Sequence, residues 1–172
     1  MYFACKLSNL MKKIFFICLI MAIATSVFAQ EKPEIYDPEL NGLEQIQIAI
    51  KNAATENKHV LVQVGGNWCG WCILFHQYIK DDAELEKYIN DNYKVIHLNW
   101  SPDNRNEEAL SLLEFPQRFG FPVFVILDET GKRLHTQDSG LLEEGKGYNR
   151  NNVMRFFQNW SPKAVNPDSY KK

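Results

Sequence analysis

Residues 59–66 constrain the fold most. His59-Val60-Leu61-Val62-Gln63-Val64 is an apolar run rich in β-branched side chains, closed by Gly65-Gly66. So short and apolar a run suits a strand buried on both faces at the centre of a sheet. Two further segments read the same way. Tyr93-Lys94-Val95-Ile96-His97-Leu98-Asn99-Trp100 is a second strand, and Phe121-Pro122-Val123-Phe124-Val125-Ile126-Leu127 a third. Asp128-Glu129-Thr130-Gly131-Lys132 then turns the chain, and Arg133-Leu134-His135-Thr136 returns as a hairpin.

Helices fill the intervals. Leu43, Ile46, Ile50 and Ala53 recur at helical spacing up to Asn57-Lys58. Ile73 to Tyr88 is helical, with Leu74, Tyr78, Leu85 and Ile89 at the apolar positions and Asp81-Asp82 as the break between two helices. Glu107 to Phe119 carries Leu110, Leu113 and Phe115, and Pro116 makes its second half irregular. A last helix over Asn151–Trp160 points Val153, Phe156, Phe157 and Trp160 inward. The order α, β, α, β, α, β, β, α predicts one α/β domain: a central mixed sheet ended by an antiparallel hairpin, with helices on both faces.

Residues 1–29 read as a leader outside that fold. Lys6, Lys12 and Lys13 precede an apolar run from Ile14 to Ala24, and Val27 and Ala29 supply small side chains before a cut after Ala29. This is the pattern of a secretory signal peptide. Met11 is a second possible start. An uncleaved anchor is the competing reading, but the apolar stretch falls short of the roughly 20 residues a span needs. Residues 30–41 then read as a flexible N-terminal segment, 42–162 as the domain and 163–172 as a tail. Losing the leader would take the 19 basic residues to 16 against 21 acidic ones, a mature charge of −5. Without a basic excess, nucleic acid is not an expected partner.

Of four cysteines, Cys5 and Cys18 lie in the leader, leaving Cys69 and Cys72. The pair follows a strand and opens a helix. Helix N-terminal amides and the macrodipole favour an anion, so the first thiolate is stabilised there. Two intervening residues bring the second sulfur within bonding distance, ready to attack a mixed disulfide. Zinc is a competing reading in which His76 would be a third ligand, but no fourth is visible. Haem attachment needs histidine where this chain has Ile73. A structural disulfide closing so small a loop would add little stability.

These residues resemble the thioredoxin superfamily, specifically its exported thioredoxin-like members. The resemblance is carried by Val60–Val64, Trp68-Cys69-Gly70-Trp71-Cys72, Gly120-Phe121-Pro122-Val123-Phe124 and Asp128–Lys132, and covers roughly residues 42 to 160. It implies a protein thiol–disulfide oxidoreductase of reductase or isomerase type. Cys69 would be the attacking thiolate, Cys72 the resolving thiol, Trp68 the flanking aromatic and Pro122 the cis-proline facing the dithiol. Trp71 and Phe121 join them as candidate substrate contacts, whereas Phe124, Phe75 and Tyr78 read as core. It needs no cofactor beyond the dithiol, and its partners would be exported cysteine-containing proteins and a protein that recycles the dithiol. The alternative is a non-catalytic binding or chaperone module with an idle disulfide.

Two positions depart from the family's pattern. A buried carboxylate often stands where this chain has Gln63, which cannot titrate. His97, where lysine is common, is a candidate proton relay in its place or a packed strand residue.

Overall fold

The computed structural model describes residues 33–171; the leader, residues 1–29, lies outside them. In chain order the elements are α1 (Gly42–Glu56), β1 (His59–Gly65), α2 (Gly70–Asp81), α3 (Ala83–Asn92), β2 (Tyr93–Asn99) and α4 (Glu107–Leu112). A 3₁₀ turn (Pro116–Phe119) leads to β3 (Val123–Leu127) and β4 (Arg133–Asp138). Then come a two-stranded ribbon of β5 (Glu143–Glu144) and β6 (Gly147–Tyr148), helix α5 (Arg150–Asn159) and the short α6 (Pro162–Val165).

Local chemistry sets the helix ends. Asn41 Oδ1 accepts from the amides of Leu43 and Glu44 to start α1, and Asn57 ends it in the left-handed region at φ 52°. Asp82, in extended conformation, stops α2 and caps α3 by accepting from Glu84 and Leu85. The Asp81-Asp82 break is therefore a stop signal and a start signal in one residue. Glu114 and Phe115, both at positive φ, carry the chain from α4 into Pro116. That turn leaves Phe115 exposed rather than on the core face expected of it.

The sheet runs β2-β1-β3-β4, with β1 parallel to β2 and the other pairs antiparallel. Every residue of β1 is buried. Strand alternation sends Val60, Val62 and Val64 into one core with Ile46, Ala53 and Leu110, under α1 and α4. Leu61 goes to the other, with Phe75, Leu85, Phe124, Phe156 and Phe157, under α2, α3 and α5. The α/β architecture with helices on both faces is thus as the sequence implies. On α2, Cys72 and Phe75 face inward and Tyr78 packs against the same core, whereas Leu74, expected at an apolar position, is exposed.

The two ends of the domain carry more structure than their composition suggests. Within the segment read as flexible, Tyr36 is only 2% exposed. The carboxamide of Asn67 anchors it, accepting from the Ile35 and Tyr36 amides and donating to the Tyr36 carbonyl. In the tail, α6 is followed by a 3₁₀ turn over Pro167–Tyr170. Among the described residues, no helix is long and apolar enough to cross a membrane.

Phe124 is fully buried, its ring centroid 4.4 Å from that of Phe75. Phe124→Ala should lower the unfolding free energy by about 3–5 kcal/mol in urea titration. A loss below about 1 kcal/mol would mean that this core is not packed as described.

Candidate active site

The site lies where β1 ends and α2 begins. After Gly65-Gly66 the chain turns out of the sheet, and Cys69 becomes the N-cap of α2 in extended conformation. Its sulfur accepts from the Cys72 amide at 3.2 Å, and the two cysteines are joined as a disulfide. Cys69 is 5% exposed and Cys72 not at all. A thiolate at Cys69 would meet the open amides of a twelve-residue helix and the positive end of its dipole. Both cysteines belong to one buried cluster with Tyr36, onto which Ile35, Trp71 and Phe121 pack, and Cys72 is the deeper of the two. Burial of that kind raises a thiol's pKa.

An aromatic rim flanks the pair. Trp68 is 54% exposed, and its indole N–H donates to the Trp100 carbonyl at 2.7 Å. Its ring lies edge-on to Trp100 and Phe121, with centroids 5.7 and 5.3 Å away. The Phe121–Pro122 peptide bond is cis and Pro122 is buried. The Val64–Val123 pairing puts Pro122 at the same end of the sheet as Gly65 and the dithiol. Trp71 is half-buried rather than displayed in a turn: Tyr148 of β6 meets its ring edge-on and donates a hydrogen bond to its carbonyl.

Gln63 is buried below the first turn of α2. Its Nε2 donates to the Tyr36 hydroxyl at 2.8 Å and to the Cys72 carbonyl at 3.1 Å. His97 is its partner in the β1–β2 register. The His97 ring lies edge-on to Tyr36 and His76, with centroids 5.4 and 5.3 Å away. Gln63, His76, Lys80, Glu86 and His97 share the lining of a cavity of about 120 Å³. Among the described residues, no three His, Cys, Asp or Glu side chains are placed to hold a metal ion.

Burial, reinforced by His76 and Lys80, pulls His97 down to about 4. The imidazole is therefore neutral at neutral pH but weakly basic, a poor acceptor for a thiol proton. A rate rising through the ordinary histidine range, expected of a His97 relay, does not follow from this environment.

The structure thus brings together Cys69, Cys72, Trp68, Trp71, Phe121, Pro122 and Gln63, with His97 one layer behind. Sequence reasoning missed Tyr36, Asn67, Trp100 and Tyr148. Trp100 stood in the sequence as the end of a strand, but nothing in the local pattern around Tyr36 marks it as buried.

A family model described as a thioredoxin-like domain matches residues 46–144. The chain belongs to this thioredoxin-like family. Among solved structures, the disulphide isomerase from Xylella fastidiosa Temecula1 superposes with a TM-score of 0.65 at 21% identity, covering 74% of this chain and 96% of that one. That likeness establishes the fold. Two looser matches are the oxidised C-terminal domain of Neisseria meningitidis DsbD and a Helicobacter pylori thioredoxin-fold protein. The first has a TM-score of 0.43 at 16% identity, covering 68% of this chain and 95% of that one. The second has a TM-score of 0.40 at 18% identity, covering 60% and 81%. Comparison with curated protein sequences finds no match.

The lowered His97 pKa makes a stability prediction. Unfolded, the group binds a proton below about 6.5; folded, only below about 4. Between these values the unfolded state holds the extra proton, so stability falls on acidification through that window. The contribution is on the order of 3 kcal/mol for a shift of this size. Urea midpoints at pH 7 and pH 4.5 should therefore converge in His97→Gln relative to the unaltered chain. Equal acid sensitivity in both proteins would contradict the assignment.

Proposed function

We propose that the chain is an exported thiol–disulfide oxidoreductase, of reductase or isomerase type, that exchanges disulfides with cysteines of other exported proteins. The observation that carries this reading is the Cys69–Cys72 disulfide at the N-cap of α2, with the exposed Trp68 and the half-buried Trp71 and Phe121 beside it. Export rests on the leader pattern of residues 1–29. The reaction needs no cofactor beyond the dithiol, and a second protein recycles it.

In the reduced protein Cys69 is the attacking thiolate, favoured by the helix amides. Its sulfur attacks a client disulfide, forming a mixed disulfide and releasing one client thiolate, which takes up a proton. Cys72 then gives up its proton and attacks the Cys69 sulfur. The Cys69–Cys72 bond forms and the second client sulfur leaves, to be protonated in turn. The client gains two electrons and the dithiol loses two. If the released client thiolate instead attacks another disulfide of the same client, and the thiolate this frees displaces Cys69 in place of Cys72, the dithiol is returned reduced and the net result is isomerisation. Trp68, Trp71 and Phe121 offer apolar surface to the client chain, and Pro122 leaves nearby backbone free to pair with it.

Cys72→Ser should accumulate mixed disulfides with client proteins, because the first attack proceeds and its resolution cannot. Cys69→Ser should trap few. Non-reducing electrophoresis with mass spectrometry of the adducts reads the difference. Equal, negligible trapping in both variants would favour the module with an idle disulfide.

A further inference from the structure

Resolution requires the Cys72 proton to leave, yet the buried surroundings of Cys72 oppose a thiolate. Gln63 cannot take that proton and His97 is a weak base, which leaves a hydrogen-bond donor as the available source of stabilisation. The N-terminal segment delivers one. Tyr36 joins Cys69 and Cys72 in one buried cluster, with its backbone anchored by Asn67. Gln63 Nε2 donates to the Tyr36 oxygen at 2.8 Å, so the hydroxyl's own hydrogen points elsewhere.

Gly65 indicates where. A Cβ at that position would stand 2.5 Å from Cys72 Sγ and 2.7 Å from the Tyr36 hydroxyl. Sulfur and hydroxyl therefore flank the same bare face of Gly65, where any larger residue would push them aside. Burial also keeps the Tyr36 hydroxyl protonated, its pKa raised well above the ordinary phenol value. It serves as a donor and not as a base.

We propose that Tyr36 is a positioning residue of the dithiol, its hydroxyl oriented by Gln63 to donate to the Cys72 thiolate as the mixed disulfide is resolved, while the Cys72 proton passes through solvent to the client sulfur that leaves. This rests on the oxidoreductase reading for its place in the reaction, though not for its effect on Cys72. The titratable groups nearest Tyr36 are His97 from β2, edge-on to its ring, and Tyr148 from β6; His76 and Lys80 from α2 and Glu86 from α3 lie behind His97 in the neighbouring cavity. All of them stay in place when only the hydroxyl is removed.

The test compares Tyr36→Phe with the unaltered tyrosine in the full chain. In a Cys69→Ser background, iodoacetamide labelling of Cys72 is followed against pH by site-resolved mass spectrometry. Loss of one charge-assisted hydrogen bond should raise the labelling midpoint by about one pH unit. With both cysteines present and glutathione loaded on Cys69, expulsion of glutathione by Cys72 should slow about tenfold at neutral pH. Labelling of Cys69 in a Cys72→Ser background should be unchanged, which a general loosening of the cluster would not allow. If Tyr36→Phe fails to fold by tryptophan fluorescence, Gln63→Leu removes the orienting donor and should shift Cys72 in the same direction. An unshifted Cys72 profile in the folded variant overturns the proposal, as does a parallel shift in Cys69. Failure of the unaltered chain to exchange disulfides with any protein would sink the functional reading alone, because the Cys72 profile would still decide the role of Tyr36.

Discussion

Burial of β1 on both faces governs the rest of the structure. A strand sealed on each side by helices has its backbone groups committed to β2 and β3, and its side chains alternate into two separate cores. Such a strand has nowhere to continue once the cores end. The chain leaves through Gly65-Gly66 and starts α2 immediately, so the helix N-terminus stands at the lip of the sheet, with Cys69 as its cap. The same strand places Gln63 under the first turn of α2 and Gly65 against Cys72. The geometry around the dithiol is thus a consequence of how the sheet is packed, and it treats the two sulfurs differently. Both share one apolar cluster, but Cys69 caps the helix amides while Cys72 is fully buried behind it.

That asymmetry divides the work between them. Helix amides stabilise an anion at Cys69 without any charged side chain. At Cys72 burial opposes the anion, and no ionised group replaces the carboxylate common in related proteins. Gln63 instead holds two acceptors, the Tyr36 hydroxyl and the Cys72 carbonyl, and so ties the N-terminal segment to the first turn of α2. A neutral network of this kind does not titrate near neutrality. The pH response of the site then comes from the thiols themselves, while His97 and its neighbour His76, whose pKa burial also lowers, add to an acid sensitivity of the fold shared with carboxylates such as Asp82 and Asp128.

The layered fold was legible because its signals are local and periodic. β-branched runs marked the strands, three-four spacing marked α1, and the double aspartate marked the break between α2 and α3. The dithiol was legible because two cysteines beyond residue 29 leave one pairing. What escaped depended on contacts distant in sequence. Tyr36 sits in a polar, proline-flanked stretch, and its burial depends on Asn67, which lies 31 residues away. The small β5–β6 ribbon has strands of two residues each, too short for any alternation to register. It nonetheless decides the environment of Trp71 through Tyr148. Phe75 is core as expected, but Leu74 is exposed, because one residue rotates a helix face by about 100° and the cap at Cys69 fixed that phase.

The direction of electron flow follows from how much better the reduced state is stabilised than the oxidised one. A strong oxidant is a protein whose thiolate is held so well that the disulfide is readily given up. Around Cys69 the stabilising groups are helix amides, including that of Cys72, and the side chains clustered with it are apolar or aromatic. The residues between the cysteines add none, since Gly70 has no side chain and Trp71 is turned toward Tyr148. A thiolate supported by amides alone is moderately, not extremely, stabilised. For the proposed oxidoreductase, such surroundings would suit reduction or isomerisation of clients rather than oxidation. The tryptophan and phenylalanine rim, rather than electrostatic attraction, would then supply affinity for a client.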